Sequence, residues 1–155
     1  MIAVSNTSPI SYLASIDLLH LLPKFFNTVY LPKSVVAELQ SPFAPPAVHK
    51  LLNALPPWMR IADHAAPPPL SPRLDVGELA VMEVGRHLPG PILLLDDWHA
   101  REMAKRLGFV VAGTVGILAR SAKSDFIDWE ESIAKLRSTN FHISDQVLSE
   151  AKKLL

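Results

Sequence analysis

Residues 92–118 read ILLLDDWHAREMAKRLGFVVAGTVGIL, and this stretch predicts two strands that alternate with two helices. Ile92–Leu95 is a short, uninterrupted apolar run, which is typical of a buried strand. The apolar residues after it recur at helical spacing until Gly108, which ends the predicted helix. Val110-Val111 predicts a second strand, and Gly113 leads into a second helix. This alternation indicates a parallel sheet.

The same alternation extends to the rest of the chain. Ile2–Val4 and Val29–Leu31 are apolar runs that predict two more strands, and a further strand is predicted around Met59–Ala62. Helices are predicted between these strands and after the last strand. Strands without alternating polar residues are covered on both faces. The sequence therefore predicts an α/β fold with a mostly parallel central sheet between two layers of helices.

Helix starts and a proline-rich region complete the predicted organisation. Ser8-Pro9 predicts a helix start with Ser8 as the cap residue, and Asp17 predicts a second helix start. Pro67-Pro68-Pro69 predicts an exposed loop, because proline continues neither a helix nor a central strand. Too little chain lies on either side for a domain boundary, so we expect residues 1–155 to form a single domain.

The composition narrows the class of protein. Hydrophobic residues make up 49% of the chain, which is enough for a packed core. There is no cysteine, which excludes disulfides and zinc–thiolate sites and fits a reducing compartment. Neither a secretory signal nor a membrane-spanning run is recognisable, so we expect a cytoplasmic protein. Lysine plus arginine equals aspartate plus glutamate at fifteen each, so net charge gives no support for nonspecific binding to nucleic acid.

Asp96-Asp97 is the most informative acidic pair, because it directly follows a predicted apolar strand. Adjacent carboxylates there repel each other unless something compensates their charge, and a divalent cation is one such compensator. In the alternative interpretation, Asp97 caps the next helix and Asp96 is solvated. Sites in parallel α/β folds form at the carboxyl ends of strands, and Asn6 follows another of the predicted strands.

Two glutamates are further candidates for this site. Glu78 lies three residues after Asp75, which also matches a capping box. Gly77, between them, is unfavourable in a helix, and a close approach to its backbone is one reason to keep it. Glu38 lies near the end of a predicted helix, where the helix dipole opposes its charge, although a solvated surface position is equally compatible.

Polar residues near the acids are candidates for substrate contacts. In Asn6-Thr7-Ser8, Asn6 offers a side-chain oxygen to a metal, and Thr7 or Ser8 could orient a water or a phosphate; a polar turn is the alternative. His99 is a candidate for the layer behind the acids. Arg101 and Lys105 lie one helical turn apart and could meet a substrate backbone, although a solvated helix face explains them equally well. No glycine-rich phosphate loop and no G-x-S-x-G motif occurs.

Five stretches of the chain together resemble a PIN domain, and their order and spacing resemble its VapC-like branch. The run with the paired aspartates and the later glycine-threonine is the most specific part. The stretches cover most of the chain and read VSNTSPI from residue 4, VVAELQ at 35–40, LDVGELAV at 74–81, LLLDDWHAREMAKRLG at 93–108 and GTVGIL at 113–118.

The resemblance implies a three-layer α/β/α fold and an endoribonuclease that depends on Mg²⁺ or Mn²⁺. It implies that metal-activated water hydrolyses RNA phosphodiesters. Such proteins are often the toxin of a toxin–antitoxin pair and often homodimers, so an antitoxin protein and a second copy of the chain are expected partners.

The resemblance also assigns roles by position. Asn6 takes the place of the first aspartate of the family, and it supplies an oxygen without a charge, which should weaken metal binding. The catalytic and metal-binding acids that it implies are Glu38, Glu78, Asp96 and Asp97, with Asp97 as the fourth acid and Asp96 beside it. Thr7 matches a small hydroxyl residue of the family, and Thr114 belongs to the later glycine-threonine pair; both are expected near the substrate.

Two other functions compete with this one. A PIN fold that has lost catalysis could bind RNA or a protein partner, and both Asn6 and the neutral net charge favour that function. A phosphoacceptor receiver domain fits poorly, because it needs an acidic pair after its first strand. This chain has Ser5-Asn6 at that place.

Overall fold

The computed structural model describes residues 1–63 and 72–155. Within these residues, five strands form one sheet in the order β3-β2-β1-β4-β5, and every pairing is parallel. The strands are β1 (Ile2–Ser5), β2 (Thr28–Pro32), β3 (Met59–Ala62), β4 (Ile92–Leu94) and β5 (Val110–Ala112). Each of the five predicted strands is present. The predicted loop at residues 67–69 lies outside the described part of the chain.

Nine α-helices connect and cover these strands in the described residues, and a 3₁₀ turn at Leu19–Leu21 precedes the second helix. They are α1 (Thr7–Ser15), α2 (Leu22–Phe25), α3 (Lys33–Leu39), α4 (Pro46–Asn53), α5 (Val76–Arg86), α6 (Trp98–Arg106), α7 (Thr114–Lys123), α8 (Trp129–Arg137) and α9 (Asp145–Lys152). None of these described helices has the length and apolar character needed to cross a membrane.

The central strands are covered on both faces. Ala3 and Val4 of β1 and Leu93 and Leu94 of β4 all have 0% exposure. Because consecutive side chains of a strand point to opposite faces, buried neighbours require cover on both sides of the sheet. The chain therefore has a three-layer α/β/α fold, as predicted from the sequence.

The predicted start of the first helix is wrong. Helix α1 begins at Thr7, and Asn6 is its cap residue, with no side-chain bond to the helix backbone. Ser8 lies inside the first turn, and its hydroxyl donates to Asp96 instead (2.8 Å). The serine therefore joins two distant segments of the chain rather than capping a helix.

Asp17 ends a helix rather than starting one, which also corrects the prediction. It has a φ of 58°, and Leu18 N donates to Leu13 O (2.8 Å) while Asp17 N donates to Ala14 O (3.1 Å). This is the Schellman pattern that closes the carboxyl end of a helix. Aspartate is one of the few residues besides glycine that adopt the left-handed conformation it requires.

The order of the strands reverses at β1. The chain moves outward from β1 through β2 to β3 on one side, and β4 and β5 lie on the other side. Ser5 pairs with Leu94, and Asn6 N donates to Leu94 O (3.0 Å). The residues that follow β1 and β4 therefore emerge side by side, at the position where open parallel sheets bind their ligands.

Candidate active site

A cleft of about 590 Å³ opens where β1 and β4 end. Four separate segments of the chain bring the predicted acids and their polar neighbours to its walls. The predicted residues that line it are Asn6, Thr7, Ser8, Glu38, Glu78, Asp96 and Asp97. No lysine or arginine is among the described residues that line it, so the cleft carries negative charge.

Asn6 presents a buried oxygen to the cleft. The residue is 7% exposed, and its Oδ1 has no hydrogen-bond partner among the described residues. Such an unpaired group costs about 1–3 kcal/mol, and it marks a place where a bound group is expected. Gly77 lies directly against it, because an added Cβ would be 2.9 Å from Asn6 Oδ1 and 2.8 Å from Glu38 Oε1. The close approach that the sequence suggested for Gly77 is therefore present.

Glu38 is held in place by the residue that follows Asn6. Thr7 Oγ1 donates to Glu38 Oε2 (2.9 Å), while Glu38 Oε1 is the oxygen that faces Gly77. Glu38 lies one residue before the end of α3, as predicted. The hydroxyl of Thr7 therefore orients a carboxylate of the cleft.

Glu78 belongs to a helix cap and to the cleft at once. Its N donates to Asp75 Oδ1 (2.8 Å), and its Oε2 accepts from Asp75 N (3.0 Å), which completes the predicted capping box. The residue is nevertheless 6% exposed and lines the cleft. Burial is the largest cause that raises the pKa of Glu78; a hydrogen bond from Asp75 N lowers it, and the charges of Asp75, Asp97 and Glu38 raise it. Together these effects bring the pKa from 4.5 to about 7. A nearby cation would favour its charged form near neutral pH.

Asp96 is tied to two helices. Its Oδ1 accepts from Thr114 N (2.7 Å), and its Oδ2 accepts from Thr114 Oγ1 (2.7 Å) and from Ser8 Oγ (2.8 Å). A carboxylate has about four lone-pair directions, and three are taken here. The solvated Asp96 of the alternative interpretation is therefore wrong. Gly113 allows this packing, because an added Cβ would be 2.9 Å from Asp96 Oδ1.

Asp97 caps helix α6, as the alternative interpretation of the acidic pair proposed. Its Oδ2 accepts from Ala100 N (2.9 Å). The residue also lines the cleft, and its charge contributes to the raised pKa of Glu78. A structural role and a place in the cleft are thus compatible for Asp97, as they are for Glu78.

Three other candidates do not line the cleft, although Arg101 Nη1 lies near Asp96: a Cβ added at Gly113 would be 2.6 Å from Arg101 Nη1 and 2.9 Å from Asp96 Oδ1. His99 lies in a separate pocket, where its Nδ1 is 3.5 Å from Arg73 Nη1, so its expected place behind the acids is wrong. Arg101 lines another cavity of about 540 Å³, and Lys105 pairs with Glu102 at 3.1 Å on the surface. A helix turns successive side chains by about 100°, so closeness in sequence to Asp97 does not bring these side chains into its cleft.

One wall of the cleft was assigned from the sequence only at Ser8; Ser11, Tyr12 and Ser15 were missed. It is a polar stripe on α1 with spacing i, i+3, i+4 and i+7, made of Ser8, Ser11, Tyr12 and Ser15. The Tyr12 hydroxyl donates to Asn140 Oδ1 (2.8 Å), and burial, followed by the charge of Asp96, raises the pKa of Tyr12. The spacing is visible in the sequence, but a polar stripe is also typical of a solvent-facing helix surface.

The chemistry of the cleft fits a hard divalent cation. In residues 1–63 and 72–155, no three histidine, cysteine, aspartate or glutamate side chains already converge closely enough to hold a metal ion. The cleft nevertheless presents carboxylate and amide oxygens, which Mg²⁺ prefers. The unpaired Asn6 Oδ1 and the acid Glu78, whose pKa is raised to about 7, are both groups that such an ion would satisfy.

Comparisons with known proteins place the chain in a family. The model of the DUF3368 family, described as a PIN domain, matches residues 2–155. A solved structure of a PilT N-terminus domain protein from the hyperthermophilic archaeon Sulfolobus solfataricus P2 is similar, with a TM-score of 0.50 and 18% identity over 93% of this chain and 100% of that one. That likeness concerns the fold alone. No curated protein gives a significant match. The chain belongs to the PIN-domain family, whose members are generally nucleases.

Proposed function

We propose that this chain is an endoribonuclease that depends on Mg²⁺ or Mn²⁺. The observation that carries the proposal is the buried, unpaired Asn6 Oδ1, which lies with Glu38 Oε1 against Gly77. Both oxygens belong to residues that line the acidic cleft, where the strand order reverses at β1. An oxygen-lined site of this kind suits a hard cation. When bound, such an ion would lower the pKa of a coordinated water and offset charge on the phosphodiester.

The residues of the cleft form two groups. One group would hold the ion, and the other positions the side chains of the first group. Four would hold it: Asn6, Glu38, Glu78 and Asp97. Thr7 orients Glu38 through its hydroxyl, at 2.9 Å. Asp96 is a positioning residue, because its bonds to Ser8 and Thr114 fix the end of β4 relative to α1 and α7.

Two substitutions remove charge from the cleft without removing a cap. Asn caps helices as well as Asp does, and Gln serves in a capping box as Glu does, so Asp97→Asn and Glu78→Gln should fold normally. Purified protein is incubated with a mixed-sequence fluorogenic RNA in Mg²⁺, in Mn²⁺ and in excess chelator. We expect cleavage that requires metal. In both variants it should fall by more than the roughly 10- to 100-fold that loss of an outer-shell partner costs.

Asp128→Asn is the matched control. Asp128 is the exposed cap of α8 and accepts from Glu131 N at 2.8 Å, so the same substitution is made outside the cleft. It should leave cleavage unchanged. Cleavage that persists in chelator, or that all three variants retain equally, would contradict the proposal.

A second function is favoured by one residue. Asn6 brings no charge to the ion, which weakens binding of a divalent cation and fits a PIN fold that binds RNA or a protein without cutting it. In that case the wild type does not cleave RNA in any metal, and Asn6→Asp gains metal affinity and cleavage. Equal activity in both forms would count against this second function.

Four expectations stay predictions. The VapC-like toxin role, the antitoxin and the homodimer rest on the family resemblance, and the cytoplasmic location rests on the sequence. Expression of the chain alone should arrest growth of its host, and Asp97→Asn should relieve the arrest. Analytical ultracentrifugation measures the predicted dimer. A monomer at all concentrations would refute the dimer, and growth arrest by Asp97→Asn as strong as by the wild type would refute a nuclease toxin.

A further inference from the structure

A second, smaller pocket adjoins the acidic cleft. It has a volume of about 300 Å³, at the lower end of the range for ligand pockets. Two pairs of consecutive residues link the cavities: Leu74 lines the pocket and Asp75 the cleft, and Trp98 lines the pocket and Asp97 the cleft. The pocket and the cleft are therefore lined by neighbouring residues at two places.

Trp98 offers the pocket a large exposed aromatic surface. It is the first residue of α6, directly after the cap residue Asp97, and it is 62% exposed. The ring of His99 meets the indole edge-on, with centroids 5.0 Å apart and 77° between the planes. This contact restrains the indole and leaves most of it accessible. Exposed tryptophan is unfavourable in water and is enriched where a protein binds a partner or ligand.

The charge of the pocket is opposite to that of the cleft. Arg73 and Arg106 both line it, and Arg106 has no ion-pair partner among the residues that the structure describes. Glu102 also lines it, but Lys105 offsets its charge at 3.1 Å. An acidic cleft thus lies beside a basic, aromatic pocket.

We propose that this pocket binds one unpaired nucleotide of the substrate RNA, next to the bond that lies at the acids. The base stacks on Trp98, and the phosphate of that nucleotide meets Arg106 and Arg73. Stacking on an aromatic side chain and arginine contacts to the backbone are how proteins bind single-stranded nucleic acid. The proposal deepens the proposed nuclease function and rests on it. It makes His99 a positioning residue for the indole.

The first test measures binding without cleavage. A fluorescently labelled single-stranded RNA is titrated in excess chelator against the wild type, Trp98→Ala, Trp98→Phe and Arg106→Gln. Loss of one stacked base weakens binding by roughly 5- to 150-fold in Trp98→Ala, whereas Trp98→Phe keeps most of the affinity. Arg137→Gln is the matched control for Arg106→Gln, because both arginines are exposed and lie in the last turn of a nine-residue helix. The same RNA in a duplex should bind more weakly, because its bases are not free to stack.

The second test separates the pocket from the cleft. In steady-state cleavage of the same RNA, Trp98→Ala should raise KM and leave kcat nearly unchanged. Asp97→Asn should abolish cleavage and keep the affinity for single-stranded RNA in chelator. If the wild type neither binds nor cleaves RNA, the nuclease function itself fails.

The proposal about the pocket can also fail alone. If the wild type cleaves RNA while Trp98→Ala keeps both KM and the affinity for RNA, the pocket is not a nucleotide site. If Trp98→Ala changes the sedimentation of the protein but not its affinity for RNA, the pocket is a protein contact and the proposal is wrong.

Discussion

Replacement of Gly77 by alanine tests the geometry of the cleft with a single methyl group. The added Cβ would lie 2.8 Å from Glu38 Oε1 and 2.9 Å from Asn6 Oδ1, whereas ordinary contacts begin near 3.4 Å. Each oxygen must therefore retreat by about half an ångström. Metal–ligand distances tolerate only about ±0.2 Å, so Gly77→Ala should weaken Mn²⁺ binding by about tenfold or more.

The same substitution should not weaken the fold. The atoms that must move are the ends of side chains, and alanine is favoured over glycine in a helix by up to about 1 kcal/mol. We expect the metal-free protein to keep its melting temperature or to gain about 2–4 °C. Gly116→Ala is the matched control, because it makes the same change near the start of α7 with nothing within 4 Å of the added Cβ.

Two measurements decide the outcome. Titration of Mn²⁺, followed by electron paramagnetic resonance of the free ion, gives the affinity, and thermal unfolding in chelator gives the stability. Gly77→Ala should lose affinity without losing stability, and Gly116→Ala should keep both. If Gly77→Ala binds Mn²⁺ as the wild type does, the two oxygens do not hold the ion and the reasoning is refuted.

Three further predictions follow from the hydrogen bonds and charges of the cleft. Because the pKa of Glu78 is raised from 4.5 to about 7 in the folded protein, the folded state binds its proton more tightly, and the free energy of unfolding in chelator should fall as pH rises between these values. The loss of unfolding free energy should approach about 3 kcal/mol, shrink when Mn²⁺ is added and vanish in Glu78→Gln. An unfolding free energy of the wild type that does not change with pH would contradict this prediction. Thr114→Val removes one donor from the partly buried Asp96 and should cost about 1–3 kcal/mol in chemical denaturation; a cost near zero would contradict it. Asn6→Asp should tighten Mn²⁺ binding by calorimetry and lower stability in chelator, because it adds a buried charge; unchanged affinity would place the ion elsewhere.

The sequence determined the fold more completely than it determined the site. The continuous apolar run Ile92–Leu95 forms a central strand covered on both faces, and its role could be predicted from local pattern alone, whereas Val110 of the edge strand β5 is 64% exposed. The partner of Ser8 could not be predicted in this way. Its hydroxyl bonds to Asp96, which lies 88 residues further along the chain, and local rules describe only the competing cap.

In the candidate site, too, local sequence patterns predicted helix caps, but they did not predict contacts between distant segments of the chain. Glu78 and Asp97 fit their local capping patterns, which gave no hint that both residues line one cleft or that burial raises the pKa of Glu78. Gly77 did carry a signal, because glycine in the first turn of a helix has a cost, and a close contact is one reason to keep it. His99 was misplaced, since closeness in sequence to Asp97 says nothing about which face of α6 it occupies.

The double use of Glu78 and Asp97 has a consequence for how such a chain evolves. Selection for stability requires an oxygen acceptor at these caps, and glutamine and asparagine supply one as well as the acids do. Under the proposed nuclease function, a single amide substitution would silence the chemistry while the fold is retained. Selection to keep the charge would then come from the reaction rather than from the helix caps. A lineage that no longer needs the reaction is free to drift into a folded, inactive descendant.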